Sequence, residues 1–271
     1  MTTIQYVSDI HLEHRKKFHI SPLSPNLALC GDIGYPGTIE YHEFVNQCSH
    51  IFQNVFVIYG NHEFFNSEDP TKADETMEER KNHSIKFPDN VFFLDNKSVY
   101  LDIRDNSVHS TLPPERDVTL FVKIIGTTLW SNIDPFTELN LADYKQIYTK
   151  KGIKLLWLDI IYMFQQNVKY VLQELMKDPD VRCILLSHHG AHPICNGVHM
   201  NNRVHSAYAS YIPEFYKRNN LMCCISGHTH SSVDETLHFE NQDCQHFIRF
   251  VSNQVGYIGE DTGYNESVIK V

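Results

Sequence analysis

The stretch Val55-Phe56-Val57-Ile58-Tyr59-Gly60-Asn61-His62-Glu63 joins two kinds of sequence. Its first five residues are β-branched or aromatic without a polar interruption, the pattern of a strand buried on both faces. A glycine ends the run, and the next three side chains offer an amide, an imidazole and a carboxylate. In α/β proteins ligand sites gather at the carboxyl ends of strands, so this boundary marks a candidate site.

The same junction recurs on either side. The runs Thr3–Ser8 and Asn26–Cys30 lead into Asp9 with His11 and into Gly31-Asp32. Downstream, Cys183–Leu186 leads into Ser187-His188-His189-Gly190, and Cys223–Ile225 leads into Ser226-Gly227-His228-Thr229-His230. One such strand end is readily explained as a turn-capping residue. Five in order, all furnishing oxygen or imidazole donors, point to a metal centre. Donors of this mixture suit Mn²⁺, Fe²⁺ or Zn²⁺, which accept carboxylate oxygen and neutral imidazole together. Two neighbouring dications repel each other and need an anionic bridge, which Asp32 can supply. Asp9/His11 and His228/His230 are spaced two apart, and on an extended segment such residues share a face. Gly31, Gly60 and Gly227 allow sharp turns and close backbone approach.

Strands and helices alternate around these blocks. Helices are expected over Ile39–Phe52, Leu158–Met176 and Ala207–Arg218. Further strands are expected at Val91–Leu94, Ser98–Ile103, Thr119–Ile125, Val233–Phe239, Phe247–Ser252 and Ser267–Val271. No repeat or flexible linker divides residues 1–271, so one domain is expected, with a charged, solvated insertion near 67–88. His189–Ser206 lacks apolar periodicity and reads as a long loop beside the site.

Composition narrows the function classes. The 271 residues include 33 acids against 23 bases, a formal charge of −10. Nucleic-acid grooves usually carry a basic excess, so small phosphorylated substrates fit better than long polyanions. No apolar run approaches the roughly 20 residues of a membrane span. Seven cysteines without a CxxC pair suit reduced thiols, and a soluble, cytoplasmic protein is expected. Seventeen histidines raise the prospect of metal binding, which only their spacing can substantiate.

The ordered set DxH, GD, GNHE, H and GHxH, from Asp9 to His230, resembles the calcineurin-like metallophosphoesterase superfamily. The resemblance implies an α/β fold, a four-layer α/β/β/α sandwich with two central mixed sheets. It also implies two divalent ions, with Mn²⁺ the choice for assay. Asp9, His11, Asp32 and His230 would hold the first, and Asp32, Asn61, His188 and His228 the second. His62 would stay off the ions, beside the substrate, as a catalytic residue along with Asp32. His189 is a neighbour of the ligand His188 and, with Arg203, the cation of the long loop, a candidate substrate contact. Glu63 would orient a neighbour by hydrogen bonding.

The reaction implied is hydrolysis of a phosphomonoester or phosphodiester by hydroxide generated between the ions. The second block lacks the GDxVDRG extension of the Ser/Thr protein phosphatases, reading Gly31-Asp32-Ile33-Gly34-Tyr35-Pro36-Gly37, which disfavours that branch. An alternative is a catalytically silent scaffold that keeps the fold and binds a partner protein. Such a scaffold would be expected to lose a ligand or His62, and none is lost here.

Overall fold

Strands without polar interruption must bury both faces, and in this chain each central one lies between a second sheet and a helix. The computed structural model describes residues 2–15, 17–66, 74–83, 87–114, 117–135, 141–200, 204–240 and 245–271. Its strands begin with β1 (Thr3–Val7), β2 (Asn26–Cys30), β3 (Asn54–Ile58), β4 (Val91–Phe93), β5 (Lys97–Asp102), β6 (Val108–His109) and β7 (Phe121–Thr127). They continue with β8 (Tyr148–Lys150), β9 (Ile153–Lys154), β10 (Arg182–Ser187), β11 (Leu221–Ser226), β12 (Asp234–Glu240), β13 (Gln245–Ser252) and β14 (Val268–Lys270). The helices are α1 (Ile39–Ile51), α2 (Met77–Asn82), α3 (Asp143–Gln146), α4 (Trp157–Lys177) and α5 (Pro213–Tyr216).

One sheet has the order β14-β1-β2-β3-β4, and the second β12-β13-β11-β10-β7-β5-β6. Both are mixed. In the first, β1 to β4 are parallel and β14 is antiparallel to β1. In the second, the central strands β13, β11, β10 and β7 are parallel, and antiparallel strands flank them.

Period-two alternation assigns the layers. Ile4, Tyr6, Ala28, Phe56 and Ile58 of the first sheet meet Ile124, Ile184, Leu186 and Ile225 of the second in one core. Their neighbours Leu27, Leu29, Val55 and Val57 face the other way, against Tyr41, Phe44, Val45 and Cys48 of α1. On the far side, Ile125, Cys183, Leu185 and Phe250 pack on Val171 and Leu175 of α4 and Phe215 of α5. The layer order is α/β/β/α, as expected. It leaves the carboxyl ends of both sets of parallel strands at a common rim.

Two expectations change. The helix expected over Ala207–Arg218 shrinks to α5, because Ala209 bridges Gly190 as a strand would and Pro213 restrains the residue before it to extended backbone. The described residues of the charged insertion include one that is less solvated than its composition suggests. Thr76 and Glu79 form a reciprocal cap on α2, and Arg80 is buried with Nε 3.1 Å from Glu75 Oε2.

A buried cation fastens α4 to the second sheet. Lys123 Nζ, without solvent exposure, lies 2.7 Å from Glu174 Oε2 and 2.9 Å from Asp178 Oδ2, and Tyr100 donates to Asp178 at 2.6 Å. Burial pushes the Glu174 and Asp178 carboxyls up, but these hydrogen bonds and the Lys123 charge outweigh it and hold both below their ordinary values. Depressed carboxylates stabilise the fold above their unfolded pKa, and that contribution fades as pH falls through the folded one. Lys123→Met is therefore expected to cost roughly 3 kcal/mol at pH 7. It should also flatten the dependence of the melting temperature on pH below about 4, which thermal unfolding from pH 3 to 7 will check.

Candidate metal centre

Five of the seven sequence-derived donors reach the site from turns with unusual backbone. Asp9, His11, Asp32, His228 and His230 all adopt positive φ, between 50° and 75°. This left-handed region is uncommon for non-glycine residues, and such strain clusters at functional sites. It also corrects the geometric expectation for the two-apart pairs. Asp9/His11 and His228/His230 do not share the face of an extended strand; left-handed turns aim them.

The turns are laced together. Asp9 N–H donates to the Gly31 carbonyl and His11 N–H to that of Asp32, at 3.0 and 2.9 Å. Gly227 N–H donates to the His188 carbonyl at 2.9 Å, and His228 N–H reaches the Asp9 carboxylate at 3.0 Å. The carboxylate of Glu63, fully buried, accepts from Asp32, Ile33 and Gly60 N–H groups at 2.7 to 2.9 Å. Glu63 therefore orients its neighbours as expected. Gly60 is needed for room: a Cβ there would fall 2.7 Å from Asp32 N and against the Asp32 carboxylate.

Asp32 lies at the centre. Its Oδ1 accepts from His62 N–H at 2.9 Å. Its Oδ2 lies 3.4 Å from His188 Nε2, 3.9 Å from His62 Nε2 and 4.0 Å from His11 Nε2. Three donor groups each have their atoms within 4.8 Å of one another: Asp9/His11/His230, Asp32/His188/His228 and His11/Asp32/His62. Asn61 Oδ1 joins the second at 3.1 Å from His188 Nε2.

The outer hydrogen bonds decide which ring nitrogens face inward. His188 Nδ1 lies 2.9 Å from the Cys30 carbonyl, which can only accept, so Nδ1 carries a proton and Nε2 points at Asn61 and Asp32. His11 and His230 direct Nδ1 at Glu13 and Glu260, at 2.9 and 2.6 Å. Their Nε2 atoms then face each other at 3.0 Å. Two neutral imidazoles so arranged present lone pair to lone pair, and an imidazole oriented by a carboxylate or carbonyl at its other nitrogen is the usual metal ligand. With Asp9 and Asp32 buried among them, the donor set fits divalent cations. Without them, protons must take their place: burial opposes charge on His188, but the Asp32 carboxylate beside it prevails and pushes its pKa up to about 10.

His62 sits on the open side, its side chain 13 % exposed, stacked on Phe65 at 4.1 Å between ring centres. Burial opposes its charge, yet Asp32 and Glu13 raise its pKa to about 9. His189 is buried, lies 4.2 Å from His228 between ring centres and faces the Thr128 carbonyl. Together with Trp130, Tyr208 and His228 it lines a cavity of about 50 Å³ beside the site. Arg203 lies outside the described residues.

Glu13, Glu260 and Tyr257 were not expected. Tyr257 covers the site, with ring centres 4.5 Å from His11 and 4.7 Å from His230 and its hydroxyl 3.4 Å from His62 Nε2. Glu13 had a signal, its place two residues after His11. Glu260 and Tyr257 arrive from a distant loop, through contacts made only in the fold.

Comparisons with known proteins agree with this fold. A mimivirus protein of unassigned function, from Acanthamoeba polyphaga mimivirus, is 26 % identical over 286 residues, spanning 98 % of this chain and 95 % of that one. The crystal structure of phosphopantetheinyl hydrolase from Mycobacterium tuberculosis has the same fold, with a TM-score of 0.63 at 16 % identity over 94 % of this chain and 89 % of that one. Among the described residues, no helix is long and apolar enough to cross a membrane. The model of the calcineurin-like phosphoesterases matches residues 3–232, a span that takes in all five blocks of donors, and the chain belongs to that family.

Proposed function

We propose that this protein is a two-cation phosphohydrolase that cleaves a small phosphomonoester or phosphodiester. The observation that carries the reading is the convergence of three imidazole Nε2 atoms within 4.0 Å of a single oxygen, Asp32 Oδ2. Asp9, His11, Asp32 and His230 would hold one ion, and Asp32, Asn61, His188 and His228 the other. When bound, Mn²⁺, Fe²⁺ or Zn²⁺ would offset charge on the phosphate oxygens and bring the pKa of water to about 7.

The protein's own part is positioning and proton transfer. Asp32 keeps Oδ2 free for sharing because Oδ1 is occupied by the His62 backbone. His62 presents Nε2 toward the site and, as imidazolium, donates a proton to the departing oxygen. Tyr257, within 3.4 Å of that nitrogen, closes the same side against solvent. The charge of −10 favours compact substrates whose own charge the ions meet. The six described cysteines are free and buried, in keeping with a reducing, cytoplasmic setting.

The test is a screen of Mn²⁺-loaded protein against p-nitrophenyl phosphate, bis(p-nitrophenyl) phosphate and nucleotides. Turnover of at least one class is expected, with loss on chelation, recovery on adding Mn²⁺, and two ions per chain by elemental analysis. A fully loaded protein without turnover would favour the silent scaffold; one ion per chain would favour a mononuclear hydrolase.

A further inference from the structure

We propose that Glu13 is a positioning residue that clamps His11 and His62 through one carboxylate oxygen, tying an ion ligand to the proton donor. The inference rests on the role given to His62 above. Glu13 Oε1 lies 2.9 Å from His11 Nδ1 and 3.0 Å from His62 Nδ1. The two rings are nearly perpendicular, 71° apart with centres separated by 4.5 Å, an arrangement in which a single acceptor can serve both Nδ1 atoms. A carboxylate oxygen can only accept, and each Nδ1 therefore bears a proton. Both Nε2 atoms are in consequence turned to the same point, 4.0 and 3.9 Å from Asp32 Oδ2.

The clamp crosses the fold. His11 and Glu13 follow β1, whereas His62 follows β3, so Glu13 spans the turn that carries Asp32 between them. That turn, Asp32-Ile33-Gly34-Tyr35, contains no second carboxylate, and the Nδ1 of His62 is met by Glu13 instead.

Glu13 is also costly as a mere brace. Its side chain is only 4 % exposed, and Oε2 is buried without a hydrogen-bond partner. A buried anionic oxygen left unsatisfied is destabilising. The contacts that Glu13 does make are those of Oε1 with the two rings.

Two readouts test this. The first is the long-range ¹H–¹⁵N spectrum of ¹⁵N-histidine protein, metal-free or Zn²⁺-loaded. The His11 and His62 Nδ1 protons should appear in wild type, shift together in Glu13→Gln, and both be lost to exchange in Glu13→Ala. Survival of the His62 proton in Glu13→Ala, or its absence from wild type, would overturn the clamp. The second is turnover. Glu13→Gln should lose about 10–100-fold in Mn²⁺ affinity or kcat, as for other residues that orient ligands. The loss in kcat should be about 10-fold greater for an alkyl phosphate, whose leaving oxygen needs a proton, than for bis(p-nitrophenyl) phosphate. Equal losses on both substrates would break the link to proton donation. Paired proton loss in a protein that turns over no phosphate ester would uphold the clamp and sink the phosphohydrolase reading, so the two failures are separable.

Discussion

Asp32→Asn is expected to reduce the bound metal from two ions to at most one per chain and to lower turnover by about 10³-fold or more, upwards of 4 kcal/mol of barrier. Two unit charges 4 Å apart interact by about 4 kcal/mol at an effective dielectric of about 20. Two dications at that distance therefore repel about four times as strongly. In the proposed arrangement the charge of Asp32 would offset this, through an oxygen already encircled by His188, His62 and His11. Asparagine keeps the shape and can still accept from His62 N–H, as Oδ1 does at 2.9 Å, so the fold should persist. Elemental analysis, far-UV circular dichroism and turnover of bis(p-nitrophenyl) phosphate check the three statements. Two ions and near wild-type turnover in the variant would show that Asp32 is not the bridge.

His62→Ala should separate catalysis from metal binding. Removal of a general acid typically costs about 10²–10⁴-fold in kcat, and both ions should remain. This outcome is not trivial, because His62 also belongs to a group of donors, with His11 and Asp32, able to hold a cation. Were His62 a ligand, its removal would lower the ion content along with activity. The distinction drawn from the structure is exposure and setting: His62 stands at the open edge between Phe65 and Tyr257, whereas His11 and His188 are sealed from solvent. Measured side by side, ion stoichiometry and kcat decide between the roles.

The two variants act on different halves of one arrangement, and the site explains why neither half can be moved alone. Asp9 is held by the backbone of His228, Asp32 by the side chain of Glu63, and His62 by Asp32 itself. A shift in any turn is carried to the next through these bonds. Positive φ at five donors adds a cost that the surrounding packing must offset.

The strands around the site were legible because each is a short apolar run that stops at a polar or glycine-bearing turn, and Asn26–Cys30 has the same bounds in sequence and structure. The long helix α4 was equally plain, since Ile161, Phe164, Val168 and Leu175 repeat at helical spacing. The segment after Ala207 was not, because its residues pair with Gly190 and docking overrides propensity. Composition likewise misplaced Arg80, whose burial depends on Glu75 and Tyr35.

The sequence by itself determined the candidate donors, their order along the chain and their place at strand ends, because these depend on side-chain chemistry and on periodicities that any segment carries locally. Only the tertiary structure decided how the donors are aimed and what holds them. Left-handed turns, and not a shared strand face, bring the paired residues together, and Glu13, Glu260 and Tyr257 enter through contacts between segments up to 246 residues apart, as with His11 and Tyr257. Hydrogen bonds from one turn to another are made in space, and no local pattern records them.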